Sequence, residues 1–281
     1  SQAVGLDVAL ELANFITGKT NMHYGIWDGL QVNLANLGDA QEAYTKKLLS
    51  YLPKNKKLNI LDIGGGAGET AKTLIKLGHQ VTIIVPSPVL ASHAKNKTLD
   101  KANIQLCTFE EFKPKNNELF DICLFSESFQ YIPLKIALKK SKSLLADTGK
   151  IIISDCFRSN AMLTNKYRPP GGGHSLKEMY KEINLNELEI IIEEDITSSV
   201  SASIDLEQKF YNTLGSIIKR IFKSYRNRNK LTFKIIKIIY TVLFNHRKRM
   251  QLNDRLFNKS RNSEIFEFHN NYMIFLLKPR N

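Results

Sequence analysis

The chain has 281 residues, 43% of them hydrophobic and 24% charged, and a formal net charge of +13. That length and composition support a large core and exclude a disordered or fibrous protein, and three cysteines are too few for a disulfide scaffold and suggest a reducing compartment. Asp7 and Glu11 break the apolar residues at the start, and no apolar run approaches the ~20 residues of a membrane span, so a cytoplasmic protein without a signal peptide is expected.

The first fifty residues carry a helical repeat. Val8, Leu12, Phe15 and Ile16 share one face, and Ala43, Leu48, Leu49 and Leu52 another, until Pro53 stops the second helix. Between them, residues 21–29 form a turn-bounded loop with the single tryptophan, Trp27. From Leu58 short apolar strands alternate with helices. Strands are expected at 58–63, 81–85, 104–107, 120–125 and 150–154, and helices at 69–77, 90–97 and 133–145. Strands rich in Ile, Leu and Val and separated by helices indicate a parallel sheet covered on both faces. Cys107, Cys123 and Cys156 fall in or beside these strands and read as small buried hydrophobes. A breaker-rich joint at 168–174 precedes a helix at 175–183 and a strand at 188–193. The last strand is expected at 271–277, after a mostly helical insertion. In that insertion Leu206, Phe210, Leu214, Ile217, Ile218, Ile221 and Phe222 recur at helical spacing. The stretch 231–244 is apolar around most of its circumference and needs a partner: the domain, another subunit, a greasy substrate or a membrane surface.

The charge is concentrated. Between residues 219 and 262 fourteen Lys and Arg stand against one acid, Asp254, which accounts for the whole surplus of +13. A field of this sign attracts phosphates, whether of RNA, anionic lipid or a phosphorylated substrate. The segment is helical and apolar rather than a compact fold with interleaved aromatic and glycine residues. Nucleic acid is therefore not the expected partner, and a peripheral membrane contact through a basic amphipathic helix stays open.

The most informative stretch is Ile60-Leu61-Asp62-Ile63-Gly64-Gly65-Gly66-Ala67-Gly68-Glu69-Thr70. It closes the first strand and opens a helix at the carboxyl edge of the sheet, where ligands bind in such folds. Glycines at 64, 66 and 68 let the backbone turn tightly and approach a ligand without Cβ interference. Asp62, two residues before the first glycine, suits a cationic ammonium better than a pyrophosphate. Glu69 stands where the dinucleotide fingerprint has its last glycine, and no Gly-Lys-Ser/Thr follows, so neither that fingerprint nor a P-loop is present.

Asp62-x-Gly64-x-Gly66-x-Gly68, then Ser87-Pro88 and the strand at 120–125, resemble class I S-adenosylmethionine-dependent methyltransferases over roughly residues 20–160. His23-Tyr24-Gly25-Ile26-Trp27 and the stretch 81–88 resemble the small-molecule branch of that family, in which the aromatic loop folds over the cofactor. The resemblance implies an α/β, Rossmann-like doubly wound sheet of seven strands with the last antiparallel. It implies S-adenosyl-L-methionine as cofactor and S-adenosyl-L-homocysteine as product. The positions implied to hold it are Tyr24, Trp27, Asp62, Gly64, Gly66, Gly68, Val85, Pro86, Ser87, Thr108, Phe109, Ser126 and Gln130. Two positions depart from the pattern. Val85 stands where an acid usually grips the ribose hydroxyls, and Thr108-Phe109 where an aspartate often meets the adenine amine. Losing both contacts weakens binding by roughly ten- to a hundred-fold, offset in part by the Pro86 and Phe109 backbone or the Ser87 and Thr108 hydroxyls.

In the same family the loop after the fourth strand, here Ser126-Glu127-Ser128-Phe129-Gln130-Tyr131-Ile132-Pro133, lies beside the transferring methyl. Tyr131 matches a position where relatives hold His or Tyr, so it is a catalytic candidate, with packing on the next helix as the equal alternative. The loop is not Asn/Asp-Pro-Pro-Tyr, which argues against methylation of a planar base nitrogen. His23 in the N-terminal loop and His174 at the triple-glycine joint are further candidates, histidine being the usual base near neutral pH. Asp155, just past the expected fifth strand, would bind the substrate or cap the turn. No CxxC, HxH or HExxH spacing occurs, so no metal site is expected.

These readings divide the chain into an N-terminal helical lid (1–52), a cofactor-binding core (53–200), a basic helical insertion covering the substrate (201–263) and a final core strand (264–281). The expected function is methyl transfer to a small, hydrophobic acceptor of natural-product, isoprenoid or lipid kind. Two alternatives are an RNA or ribosomal-protein methyltransferase docking through the insertion, and a non-catalytic membrane- or partner-binding protein on the same fold.

Overall fold

The computed structural model describes residues 2–161, 171–229, 234, 235, 238, 245–258 and 261–280. Five parallel strands follow the apolar runs: β1 (Asn59–Ile63), β2 (Gln80–Ile84), β3 (Asn103–Gln105), β4 (Phe120–Ser126) and β5 (Leu145–Arg158). With β6 (Leu188–Asp195) and β7 (Asn270–Pro279) they form a seven-stranded sheet in the order β3-β2-β1-β4-β5-β7-β6, and β7 runs antiparallel to both neighbours. This is the doubly wound, Rossmann-like arrangement expected.

Both sheet faces are buried, so alternate residues of each strand enter two separate cores. Leu61, Ile63, Cys123, Phe125, Ile151 and Ile153 face one, beneath α5 (Leu134–Leu144) and α6 (Leu176–Leu185). Ile60, Ile122, Leu124 and Ile152 face the other, beneath α2 (Leu37–Leu49), α3 (Glu69–Lys76) and α4 (Pro88–Thr98). All three cysteines are free, and Cys123 and Cys156 are buried. β3 is shorter than the expected 104–107. β5 is longer than 150–154, because it stays paired with β7 as far as Arg158, opposite Asn270. Asp155 therefore lies inside β5 rather than past it.

α1 (Gln2–Thr17) forms as expected, but the face carrying Leu12 and Phe15 is not its buried one. Leu10 is wholly buried, whereas Leu12 is 44% and Phe15 88% exposed. The repeat locates a stripe without saying which part of it a neighbour covers. Between β6 and β7 lie α7 (Thr197–Arg228), α8 (His246–Phe257) and α9 (Ser263–His269). α7 runs through residues 200 and 201 unbroken, and its Val200 and Ile204 belong to the second core. The apolar stretch 231–244 lies outside the described residues except at 234, 235 and 238. No described helix is long and apolar enough to cross a membrane.

Candidate functional site

The carboxyl ends of β1, β2, β4 and β5 converge on one edge of the sheet, and the glycine-rich turn leads from β1 into α3. Gly64 donates its N–H to the Ile84 carbonyl at 2.8 Å, tying the turn to β2, and the Ser128 hydroxyl donates to the Ile63 carbonyl, tying it to the β4 loop. A Cβ on Gly64 would collide with Ser128, and one on Gly68 would lie 2.9 Å from Ala94 Cα in α4. Those two glycines are demanded by packing inside the protein. Gly66 differs: its φ is +56°, and no atom lies within 4 Å of where its Cβ would be. Its bare backbone faces open space.

Asp62 sits beneath this turn at 1% exposure, and its Oδ2 has no hydrogen-bond partner among the described residues. Burial pushes its carboxyl up to about 7. A buried acceptor without a partner costs free energy and marks a position that a ligand donor would satisfy.

Two more carboxylates line the same edge, Asp155 wholly buried and Glu127 half-buried. Glu127 occupies the left-handed region at φ +54°, rare outside glycine, and is held there by two donors. Its Oε1 accepts the Tyr24 N–H at 2.8 Å and the Tyr272 hydroxyl at 2.7 Å. The Tyr44 oxygen lies 3.1 Å from that of Tyr272, and the Tyr44 hydroxyl donates to Ser154 Oγ at 2.8 Å. Asp155 accepts from the Gln130 N–H at 3.0 Å, the Gln130 side-chain amide at 2.9 Å and the Cys156 N–H at 2.7 Å. Burial raises both carboxyls to about 7, and for Asp155 the Glu127 charge adds to the effect.

The aromatic loop is latched from both sides. Trp27 is 5% exposed, packs with Ala40 and Leu206, and donates its indole N–H to Ser203 Oγ of α7 at 2.8 Å. The Gly25 N–H reaches the same oxygen at 3.1 Å, and the Trp27 backbone N–H donates to the Ser199 carbonyl at 2.8 Å. Before the loop, Glu69 at the start of α3 accepts from the Thr20 N–H at 3.0 Å. The loop's position is therefore set from β4, α3 and α7 together.

His23 is stacked on Tyr44 at 4.5 Å between ring centroids, with Nδ1 2.8 Å from the Tyr24 carbonyl and Nε2 3.3 Å from the Thr45 hydroxyl. Burial lowers it to about 4, so it is neutral near pH 7. His174 donates its Nε2–H to the carbonyls of Ile132 at 2.9 Å and Phe129 at 3.2 Å, and its ring meets Phe129 edge-on. It braces the loop that carries Tyr131, whose side chain is 79% exposed. On the other flank Val85 is buried and Ser87 caps α4 by accepting from the Leu90 N–H, with Pro86 exposed between them. The Thr108 hydroxyl donates to Glu111 at 3.0 Å, and Phe109 packs edge-on against Phe125. Ser126 Oγ lies 3.4 Å from the Tyr44 hydroxyl.

The residues at 62–68, 126–131 and 155 thus gather on one edge. Tyr24 joins them through Glu127, whereas Trp27 is turned toward α7. Tyr44, Glu127, Ser203 and Tyr272 escape sequence reasoning. Glu127 lay inside an informative stretch with nothing to mark its backbone conformation. Ser203 lies 176 residues from the tryptophan it holds, with no local signal.

The chain is similar over nearly its whole length to several solved structures. The cyclase SpnF matches 99% of this chain and 96% of its own at 17% identity with a TM-score of 0.68. The cyclopropane synthase MmaA2 from Mycobacterium tuberculosis matches 97% and 95% at 11% identity, TM-score 0.67. Geranyl diphosphate C-methyltransferase from Streptomyces coelicolor A3(2), crystallised with S-adenosyl-L-homocysteine, matches 96% and 91% at 13% identity, TM-score 0.64. At these identities the shared property is the fold. In sequence, a ubiquinone biosynthesis O-methyltransferase from Bradyrhizobium diazoefficiens is 33% identical over 107 residues, 36% of this chain. The match spans 41% of that relative's length. Residues 37–188, more than half of the chain, match the methyltransferase domain family, and the chain belongs to it.

Proposed function

We propose that the protein is an S-adenosylmethionine-dependent methyltransferase acting on a small hydrophobic acceptor of isoprenoid, lipid or natural-product kind. One observation carries the reading: wholly buried Asp62 keeps an unpartnered carboxylate oxygen beneath a turn whose Gly66 opens onto free space. The residues fit the cofactor. Asp62, Gly64, Gly66 and Gly68 would take its amino-acid end, where an ammonium supplies the donor that Asp62 lacks. Val85, Pro86 and Ser87 would lie along the ribose, Thr108 and Phe109 along the adenine, and Tyr24, Ser126 and Gln130 beside the methyl, while Trp27 would act by anchoring the aromatic loop on α7.

Bound there, the cofactor supplies an electrophilic methyl on a sulfonium sulfur. The chain's part is to exclude water and to align the acceptor, which supplies most of the acceleration for an in-line displacement. The latched loop closes one side. Gln130, clamped on Asp155 through backbone and side chain, fixes the β4 loop. Tyr131 at the end of that loop would orient the acceptor or take its proton. His23 would act by positioning, its ring nitrogens being engaged by the Tyr24 carbonyl and the Thr45 hydroxyl, and so would His174, whose Nε2–H holds the Phe129 and Ile132 carbonyls.

A hydrophobic acceptor is supported by neighbours named for geranyl diphosphate methylation and cyclopropane synthesis, and by the exposed Met22, Val32 and Leu34 around the aromatic loop. One neighbour is named as a cyclase, so the fold alone leaves the reaction open and the site must decide it. On this reading residues 1–52 form a lid and 201–263 the acceptor cover, and the reduced cysteines suit the cytoplasm. Calorimetry with S-adenosylmethionine and S-adenosylhomocysteine tests the first step, and methyl-labelled cofactor against isoprenoid diphosphates, fatty-acyl chains and phenols tests the second. Absence of heat with both would overturn the cofactor. Label passing only to RNA or protein would overturn the acceptor class.

A further inference from the structure

α7 changes character along its length. Its first turns are core, with Val200 and Ile204 fully buried. At its middle α8 crosses: a Cβ on Gly215 would collide with the Leu256 carbonyl, Arg255 lies 4.3 Å above the Tyr211 ring, and Glu207 pairs with Arg255 at 2.7 Å and Arg261 at 3.3 Å. Beyond that crossing Ile217, Ile221 and Tyr225 are 48%, 51% and 51% exposed. Spaced four apart, they form one stripe along the helix. Lys219, Lys223 and Arg226 fall on the opposite side with Arg220 at its margin; all four are exposed and have no ion pair among the described residues. Met250, Leu252 and Phe257 of α8 are exposed as well.

We infer that the distal half of α7, supported by α8, docks on an anionic membrane surface. An apolar stripe opposed by a cationic face is the pattern of a helix lying in the lipid interface, stripe toward the acyl boundary and cations among the headgroups. Charge complementarity selects this occupant. A second copy would bring the same fourteen cations against the first, and nucleic acid would leave the stripe wet. The surface is separate from the cofactor turn, so the inference stands or falls independently of methyl transfer. It would also bring a lipophilic acceptor to the edge from which α7 starts.

The test is co-sedimentation of the full chain with vesicles of phosphatidylcholine alone and of phosphatidylcholine mixed with phosphatidylglycerol. The chain is expected to partition onto the mixed vesicles, less so as salt rises. Lys219→Gln/Arg220→Gln/Lys223→Gln/Arg226→Gln should weaken partition by up to roughly three orders of magnitude. Ile217→Ser/Ile221→Ser/Tyr225→Ser should weaken it at least about ten-fold, because each removes apolar area from the interface. All these side chains are exposed, so unchanged circular dichroism and cofactor binding are expected of both variants. Equal partition onto the two kinds of vesicle would overturn the inference. So would wild-type partition by the stripe variant, which would mean mere electrostatic adsorption, or a dimer in sedimentation that the stripe variant abolishes.

Discussion

The glycine-rich turn and the distal half of α7 keep their unsatisfied chemistry in opposite ways. At the turn a single carboxylate oxygen is buried and has no partner among the described residues, and the backbone around it is tied to Ile84 and packed against Ser128 and Ala94. On α7 Lys219, Arg220, Lys223 and Arg226 are exposed beside Ile217, Ile221 and Tyr225, and no ion pair among the described residues fixes the four charges. A buried orphan recognises one group in one place, because low dielectric makes a wrong partner expensive. An exposed amphipathic face recognises a surface, because each contact is weak and their sum is what binds. Changes at the turn should therefore act one residue at a time, and those on α7 only in groups.

The largest expected effect is Gly66→Val. Its side chain would fill the open space and strain a positive-φ position, so cofactor binding should disappear from calorimetry while the melting transition remains cooperative. Unaltered affinity would remove the turn from the site. Tyr131→Phe should lower kcat by about a hundred-fold or more with cofactor affinity unchanged, if the hydroxyl moves a proton. Equal turnover would leave Tyr131 as a surface aromatic.

Asp62→Asn should weaken cofactor binding by about ten- to a hundred-fold, the worth of a charged hydrogen bond. Its pH signature has a definite sign. Burial raises Asp62 to about 7 from 3.8, as it raises Glu127 and Asp155 to about 7. Between those values the folded chain holds protons that the unfolded chain has released, so stability from these groups is full in acid and falls as pH rises toward 7. His23, lowered from 6.5 to about 4, works the other way, adding stability as pH rises through that interval. Because the asparagine removes only one falling contribution, wild type should lose ground to the variant in melting temperature as pH rises from about 4 to 7. A pH-independent difference between the two would rule out a buried, titrating Asp62. Smallest is Ser203→Ala, which strips two donors of their shared acceptor and should cost about 1–2 kcal/mol in denaturant unfolding. If stability is unchanged, the aromatic loop is held by its other contacts alone.

The parts of the fold that periodicity reaches were readable in advance. β1, β2 and β4 are runs of Ile, Leu, Val and Phe, short enough that local pattern and final burial coincide, and the terminal strand followed from its apolar length. The face of α1 was not readable, because Leu10 and Phe15 are equally apolar and only the neighbours choose between them. Within the site the glycine spacing and Asp62 were visible. The backbone inversion at Glu127, its clamp on Tyr24 and Tyr272, and the Ser203 latch join segments far apart in the chain, where no window of sequence holds both partners.

The sequence alone determined that strands and helices alternate, that a glycine turn follows an aspartate, and that the positive charge lies in one segment, since each is a property of neighbouring residues. Only the tertiary structure decided which carboxylate is left without a partner, which glycine faces open space and where α7 leaves its support, since burial and hydrogen bonding depend on groups brought together from the whole length of the chain.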